Sequence, residues 1–138
     1  MTVASKTFHV STKGPGLYDV TAEVRAALAE SGITVGICSV FLAHTSASLV
    51  TQENADPSVL RDLQKWIARV APESDAWEHD AEGPDDMPSH IRASITKTSE
   101  TVPVQRGKLA LGTWQAIYVW EHRARPHERT VIVTVIGE

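Results

Sequence analysis

The sequence predicts a single α+β domain over residues 1–138, built on a mixed, largely antiparallel sheet with two to three helices. Three observations lead there: apolar residues alternate near both ends of the chain, two amphipathic stretches carry helix-start signals, and strand-like runs follow one another after residue 100. At 138 residues the chain is long enough to bury roughly 68 to 70% of its unfolded surface in one core.

Lys6 to Ser11 alternates, with Phe8 and Val10 on one face and His9 on the other. Gly14-Pro15-Gly16 breaks the chain, and Asp19 is placed to cap a helix whose stripe is Val20, Val24, Ala27 and Leu28. Gly32 ends that helix. Ile33 to Phe41 is rich in β-branched residues and reads as a strand, with His44 just beyond it. Thr45-Ser46-Ala47-Ser48 is a run of small side chains, which lets a ligand approach the backbone. Leu49-Val50-Thr51 then pairs with the preceding strand or continues it.

Asp56-Pro57 starts a second helix running to about Val70, with Val59, Leu63, Trp66 or Ile67, and Val70 as its apolar stripe. Pro88 opens a short helix through Ile95. Thr101 to Val104, Leu109 to Leu111, Gln115 to His122 and Arg129 to Gly137 are strand-like, and Gln105-Arg106-Gly107 marks a hairpin between the first two.

A net charge of −4 with no dense Lys/Arg stripe argues against nucleic-acid binding. No apolar run is long enough to span a bilayer, and the amino terminus lacks a signal-peptide pattern, so a cytoplasmic protein without a membrane role is expected. The single cysteine, Cys38, reads as a packed core thiol.

The most unusual segment runs from Glu73 to His90. It holds seven carboxylates and no Lys or Arg, so it cannot neutralise itself locally. A bound cation, basic groups from elsewhere in the fold, or water must do so. His79 and His90 bracket the carboxylates, and imidazole is both a common metal ligand and the usual proton carrier near neutral pH. With His44, these histidines lie at element ends and have no local ligand spacing; they either converge with Asp80, Asp85 or Asp86 on a metal or satisfy separate hydrogen bonds. Glu53 is a general base or a buried hydrogen-bond partner. Gly112-Thr113-Trp114-Gln115 reads first as a bend with a packing Trp and second as a ligand-facing pair. Glu121-His122-Arg123 reads as the rim of a strand end, where Arg123 can hold an anion.

Taken together, the blocks Phe41-Leu42-Ala43-His44-Thr45-Ser46-Ala47-Ser48-Leu49, Glu53-Asn54-Ala55-Asp56-Pro57, Glu78-His79-Asp80-Ala81-Glu82-Gly83, Asp85-Asp86-Met87-Pro88-Ser89-His90-Ile91, Val102-Pro103-Val104, Gly112-Thr113-Trp114-Gln115 and Glu121-His122-Arg123 resemble the YjbQ family in order and spacing. The resemblance covers nearly the whole chain. It implies a YjbQ-like fold, assembly as a homotrimer, and a weak secondary thiamine-phosphate synthase activity. It points to His44, His79 and His90 as a polar pocket, with Glu53, Asp80 and Asp86 near it and Trp114 and Gln115 lining it. Trp77 stands where relatives often carry Tyr.

Such a transferase joins an aminopyrimidine diphosphate to a thiazole phosphate with loss of pyrophosphate, which requires neutralisation of the leaving group. The expected enzyme acts on a small phosphorylated molecule with a divalent metal, zinc or magnesium. His44, His79, His90, Glu53 and Asp80 are its candidate catalytic residues, with the three histidines as metal ligands. Thr45, Ser46, Asp86, Trp114, Gln115 and Arg123 are candidate substrate contacts. Two alternatives use the same residues: a non-catalytic protein that binds a metal or anionic metabolite, and a metal-dependent hydrolase with Glu53 as base.

Overall fold

The computed structural model describes residues 1–74 and 76–138; Asp75 of the acidic segment lies outside the described residues. Eight strands and three helices follow in the order β1 (Thr2–Thr12), β2 (Gly16–Asp19), α1 (Thr21–Ser31), β3 (Gly36–Leu42), β4 (Ala47–Glu53), α2 (Pro57–Val70), α3 (Asp86–Ile95), β5 (Ser99–Gln105), β6 (Lys108–Leu109), β7 (Gln115–Glu121) and β8 (His127–Gly137). Every named strand pairing is antiparallel. The strands form two sheets, one ordered β1-β8-β3-β5-β6 and a smaller one ordered β2-β7-β4.

The core lies between the sheets and under α1. Val40, Leu42, Val131, Val133 and Val135 of the large sheet meet Leu49, Ile117 and Val119 of the small one, and Val24 and Leu28 of α1 close one side. Cys38 is fully buried there, and burial pushes its thiol up to about 11, as a core thiol requires. The β5–β6 hairpin turns at Arg106 and Gly107, both at positive φ (53° and 73°), the left-handed pair that a two-residue turn of this hand needs.

Several sequence expectations are corrected. β4 neither pairs with β3 nor continues it: residues 43–46 carry the chain from the large sheet to the small one, where β4 pairs along its whole length with β7. Gly16 begins a short edge strand rather than a plain break. Asp19 Oδ1 accepts from Thr21 N (2.9 Å), so it holds the first turn of α1 from one position before the cap. Asp56 caps α2 as expected, accepting from Ser58 N at 2.9 Å. The α2 stripe is only partly covered, however: Ile67 is buried, Val59 and Leu63 are half-buried, and Trp66 and Val70 are exposed.

The end of β7 is the least expected region. Glu121, His122 and Arg123, read as rim residues, are all buried. Glu121 Oε1 accepts from Arg129 Nε (2.7 Å) and from Thr12 Oγ1 (2.6 Å), tying β7 to β8 and β1. Burial opposes its ionisation, but the bonds from Arg129 and Thr12 outweigh it and hold the carboxyl below its ordinary range. Arg129 shares the inward phase of Val131, Val133 and Val135 in β8, which places its guanidinium inside. His122 Nε2 lies 2.9 Å from Ser48 Oγ, and burial, reinforced by the Arg92 charge, lowers its pKa to about 3.

The His122 shift has a measurable consequence. An unfolded histidine takes up a proton near pH 6.5, which the folded chain refuses until about pH 3. Its contribution is therefore complete above pH 6.5 and is lost at about 1.4 kcal/mol per pH unit as the pH falls below that value. Urea unfolding at pH 5 should give a stability about 2 kcal/mol below that at pH 7, with a smaller difference in His122→Gln. Equal pH dependence in the two proteins would contradict the assignment.

Candidate functional site

The acidic segment leads into α3, whose first turn places Asp86 and, one turn later, His90 on the same side. The loop before the helix folds His79 over them. His79 Nε2 lies 2.6 Å from Asp86 Oδ2, His90 Nε2 lies 3.4 Å from Asp86 Oδ1, and the two rings meet edge to face with centroids 5.4 Å apart. One ligand atom from each of His79, Asp86 and His90 falls within 4.8 Å of the others. Asp86 is buried, His90 partly buried and His79 exposed, so the set has a closed floor and an open side.

The basic groups that the segment lacks come from the end of β7. Arg123 donates from Nε to Asp85 Oδ2 (2.8 Å), pairs through Nη1 with Asp86 Oδ1 (2.8 Å), and donates from Nη2 to the Glu82 carbonyl (3.1 Å). Ala124 N adds a bond to Asp85 Oδ2 (2.8 Å). Burial opposes ionisation of Asp86, yet its contacts with His79 and Glu82 and the charges of Arg123 and His90 hold it below the ordinary carboxylate range. Asp86 is therefore an anion at neutral pH.

His90 has an orientation that bears on its chemistry. Its Nδ1 lies 2.8 Å from the Thr45 carbonyl, which can only accept, so Nδ1 carries the proton. In the neutral ring Nε2 is then a lone pair aimed at a carboxylate. That arrangement repels unless a proton or a cation lies between them. A backbone carbonyl fixing the far nitrogen is also how metal-binding imidazoles are commonly held.

His44 stands apart from this set. Its Nε2 accepts from Thr130 N at 2.7 Å, and its Nδ1 faces Arg129 Nη1 at 3.4 Å. Burial and the Arg129 charge lower its pKa. Nε2 is spent on the β8 backbone and Nδ1 faces the Arg129 side chain, so His44 braces the turn that presents the Thr45 carbonyl rather than joining the three-residue set. Ser46 is buried and its hydroxyl accepts from Arg129 Nη2 (3.0 Å), which makes it part of the same brace.

Glu53, Trp114 and Gln115 lie elsewhere. Glu53 pairs with Gln115 at one end of β4 and β7, whereas Ala47 pairs with Glu121 at the other; six residues of strand separate the two ends by about 20 Å. Trp114 is 62% exposed rather than packed, and Gln115 Oε1 closes the bend by accepting from Gly112 N (2.7 Å). Within one chain these three are not part of the histidine cluster. Asp80 lines a cleft of about 380 Å³ beside His79, together with Glu73, Trp77 and Met87. The Trp77 indole N–H is buried there with no partner among the described residues. Arg129 was not singled out in the sequence and Glu121 was read as a rim residue; the one available signal was the inward phase of Arg129 in an otherwise valine-lined strand.

A family model described as UPF0047 protein YjbQ-like matches residues 6–138. The chain belongs to the YjbQ/UPF0047 family. It is 51% identical over 130 residues to UPF0047 protein sll1880 of Synechocystis, covering 94% of this chain and 88% of that protein. It is 42% identical over 134 residues to UPF0047 protein YjbQ of Escherichia coli O157:H7, covering 96% and 97%. Among solved structures, a YjbQ/UPF0047 family protein from Clostridium acetobutylicum superimposes with a TM-score of 0.89 at 36% identity over 95% of this chain and 99% of its own. A hypothetical protein from Aeropyrum pernix K1 also gives 0.89, at 30% identity over 97% and 98%. The YjbQ fold is thus the two-sheet arrangement described above. No helix among the described residues is long and apolar enough to cross a membrane.

Because Arg123 and Asp86 are both buried, breaking their contact leaves a carboxylate uncompensated. Arg123→Met should destabilise this YjbQ protein by about 3 to 5 kcal/mol in urea. Lys6→Met, which breaks the exposed pair with Glu30, should cost under about 1 kcal/mol. Similar costs for the two would contradict this account of the site.

Proposed function

We propose that His79, Asp86 and His90 bind a transition-metal ion, and that the protein is a metal-assisted enzyme acting on a small phosphorylated metabolite. The observation that carries this reading is the His90 ring, locked by the Thr45 carbonyl so that its free nitrogen faces the buried Asp86 carboxylate. Two imidazoles with one carboxylate and an open side suit zinc or a similar ion better than magnesium, which prefers oxygen ligands throughout. A metal held there would supply positive charge to a phosphoryl or carbonyl oxygen, or an activated water. The chain's own part is to keep Asp86 ionised through Arg123, to orient His90 through Thr45, and to leave His79 on the accessible side. Asp80 and Trp77 on the adjoining cleft are the substrate contacts this reading favours. Thiamine-phosphate formation as a secondary reaction is supported by the family resemblance alone.

The test is elemental analysis of tag-free protein. Wild type should carry about one zinc per chain; His79→Ala and His90→Ala should each lose it, since removing one of three ligands weakens such sites severely. His44→Ala should retain it. Metal held equally by wild type and both ligand variants would sink the assignment, and metal retention with no turnover on phosphorylated substrates would leave a binding protein rather than an enzyme.

Homotrimer formation belongs to the same proposal and is supported by the outer face of the large sheet. Three cross-strand rows there carry no charge: Val3, Ile136, Ile37 and Pro103; Ser5, Thr134, Ser39 and Thr101; Thr7, Ile132, Phe41 and Ser99. Ile37 and Phe41 are 53% and 45% exposed. An exposed, uncharged face of this kind is characteristic of association surfaces. Light scattering should give the mass of three 15.0 kDa chains for wild type and of one for Ile37→Lys/Phe41→Lys; an unchanged mass in the double variant would refute the role of this face.

A further inference from the structure

A second cleft, of about 440 Å³, opens beside the histidine set and is lined by Ala81, Glu82, Gly83, Arg123, Arg125 and His127. Its two arginines differ in kind. Arg123 spends all three of its nitrogens on Asp85, Asp86 and the Glu82 carbonyl, so it forms the wall between this cleft and the histidine set. Arg125 is exposed and its guanidinium forms no ion pair or hydrogen bond among the described residues. His127 Nδ1 donates to the Arg125 carbonyl (2.8 Å), which leaves Nε2 as the ring's free edge and, in the imidazolium, as a donor.

The backbone carrying these two side chains is fixed. Ala124 N is bonded to Asp85 Oδ2 (2.8 Å), and His127 is paired with Thr12 at the start of the β1–β8 ladder. The guanidinium fork and the imidazole edge therefore hang from an anchored loop. Glu82 connects the cleft to the histidine set, because its carboxylate lies 4.0 Å from His79 Nε2. Among the described residues it is also the one carboxylate lining this cleft.

We infer that Arg125 and His127 form an oxyanion subsite, which holds the phosphoryl or carboxylate end of a substrate whose reacting part lies at His79, Asp86 and His90. This rests on the metal-site reading above and adds to it the residues that would grip the substrate's anionic end. The guanidinium's fork of N–H donors matches an oxyanion's spread of lone pairs, and charge-assisted bonds of this type are stronger than neutral ones; the His127 edge joins it as a donor in the imidazolium form. Glu82 opposes the bound anion and so sets an upper limit on affinity.

Calorimetric titration of inorganic phosphate, and separately of acetate, into the zinc-loaded full chain tests the subsite, with zinc content measured on every protein. Wild type should bind one of the two anions, and the preferred one identifies the head group as phosphoryl or carboxylate. Arg125→Gln/His127→Gln should weaken that binding about tenfold or more with zinc content unchanged, and Glu82→Gln should strengthen it. Undiminished affinity in the double variant, or no anion binding by wild type, overturns the subsite. If wild type holds no zinc the metal reading fails by itself, and the same titrations on metal-free protein then decide the subsite by the same comparison.

Discussion

The interaction on which the site depends is the buried clamp of Arg123 on Asp85 and Asp86. Between Glu73 and His90 the chain supplies only negative charge, and an uncompensated buried carboxylate there would take up a proton or turn outward. The guanidinium arrives from the end of β7, neutralises the first turn of α3, and fixes Asp86 as an anion under two imidazoles. His79 and His90 are positioned relative to that carboxylate, and so to Arg123.

Arg123 is one of three consecutive residues that leave β7 in different directions. Glu121 meets Arg129 and Thr12 inside the large sheet, His122 meets Ser48 on β4, and Arg123 reaches α3. One strand end thereby joins both sheets to the helix that carries the site. Arg129 extends the connection to His44 and Ser46, which hold the turn offering its carbonyl to His90. The charges are matched locally: the ion pair of Glu121 with Arg129 keeps that carboxyl ionised, while His122 nearby stays neutral through burial. Rigid support of this kind suits a ligand set that must keep its geometry when a charged group approaches.

Much of the fold was legible from local rules. The Asp56-Pro57 start of α2, the Arg106-Gly107 hairpin and the alternation of β8 each express a backbone preference that neighbours did not override. The separation of β3 from β4 was not legible, because both runs are apolar and nothing local says which sheet a strand joins. The partly exposed α2 stripe shows the complementary limit: amphipathic period marks a face that favours burial, not what covers it. At the site, the acidic segment and its histidines were visible as a charge imbalance, and the partner that resolves it is Arg123. His44 was grouped with His79 and His90 on residue type and resemblance; its ring is instead spent on Thr130 and Arg129, a role that depends on which side of β8 it meets. Glu53, Trp114 and Gln115 were grouped with the histidines by resemblance but lie at the opposite end of the β4–β7 pair from Glu121.

The central claim is that His79, Asp86 and His90 form one ligand set with an open side. The most direct measurement is an anomalous difference map from a crystal of the zinc-incubated protein, recorded on both sides of the zinc absorption edge. The account predicts a single strong peak per chain bounded by His79 Nε2, His90 Nε2 and an Asp86 carboxylate oxygen. A peak coordinated by His44 instead, or no peak at this cluster in protein that retains zinc, would contradict it.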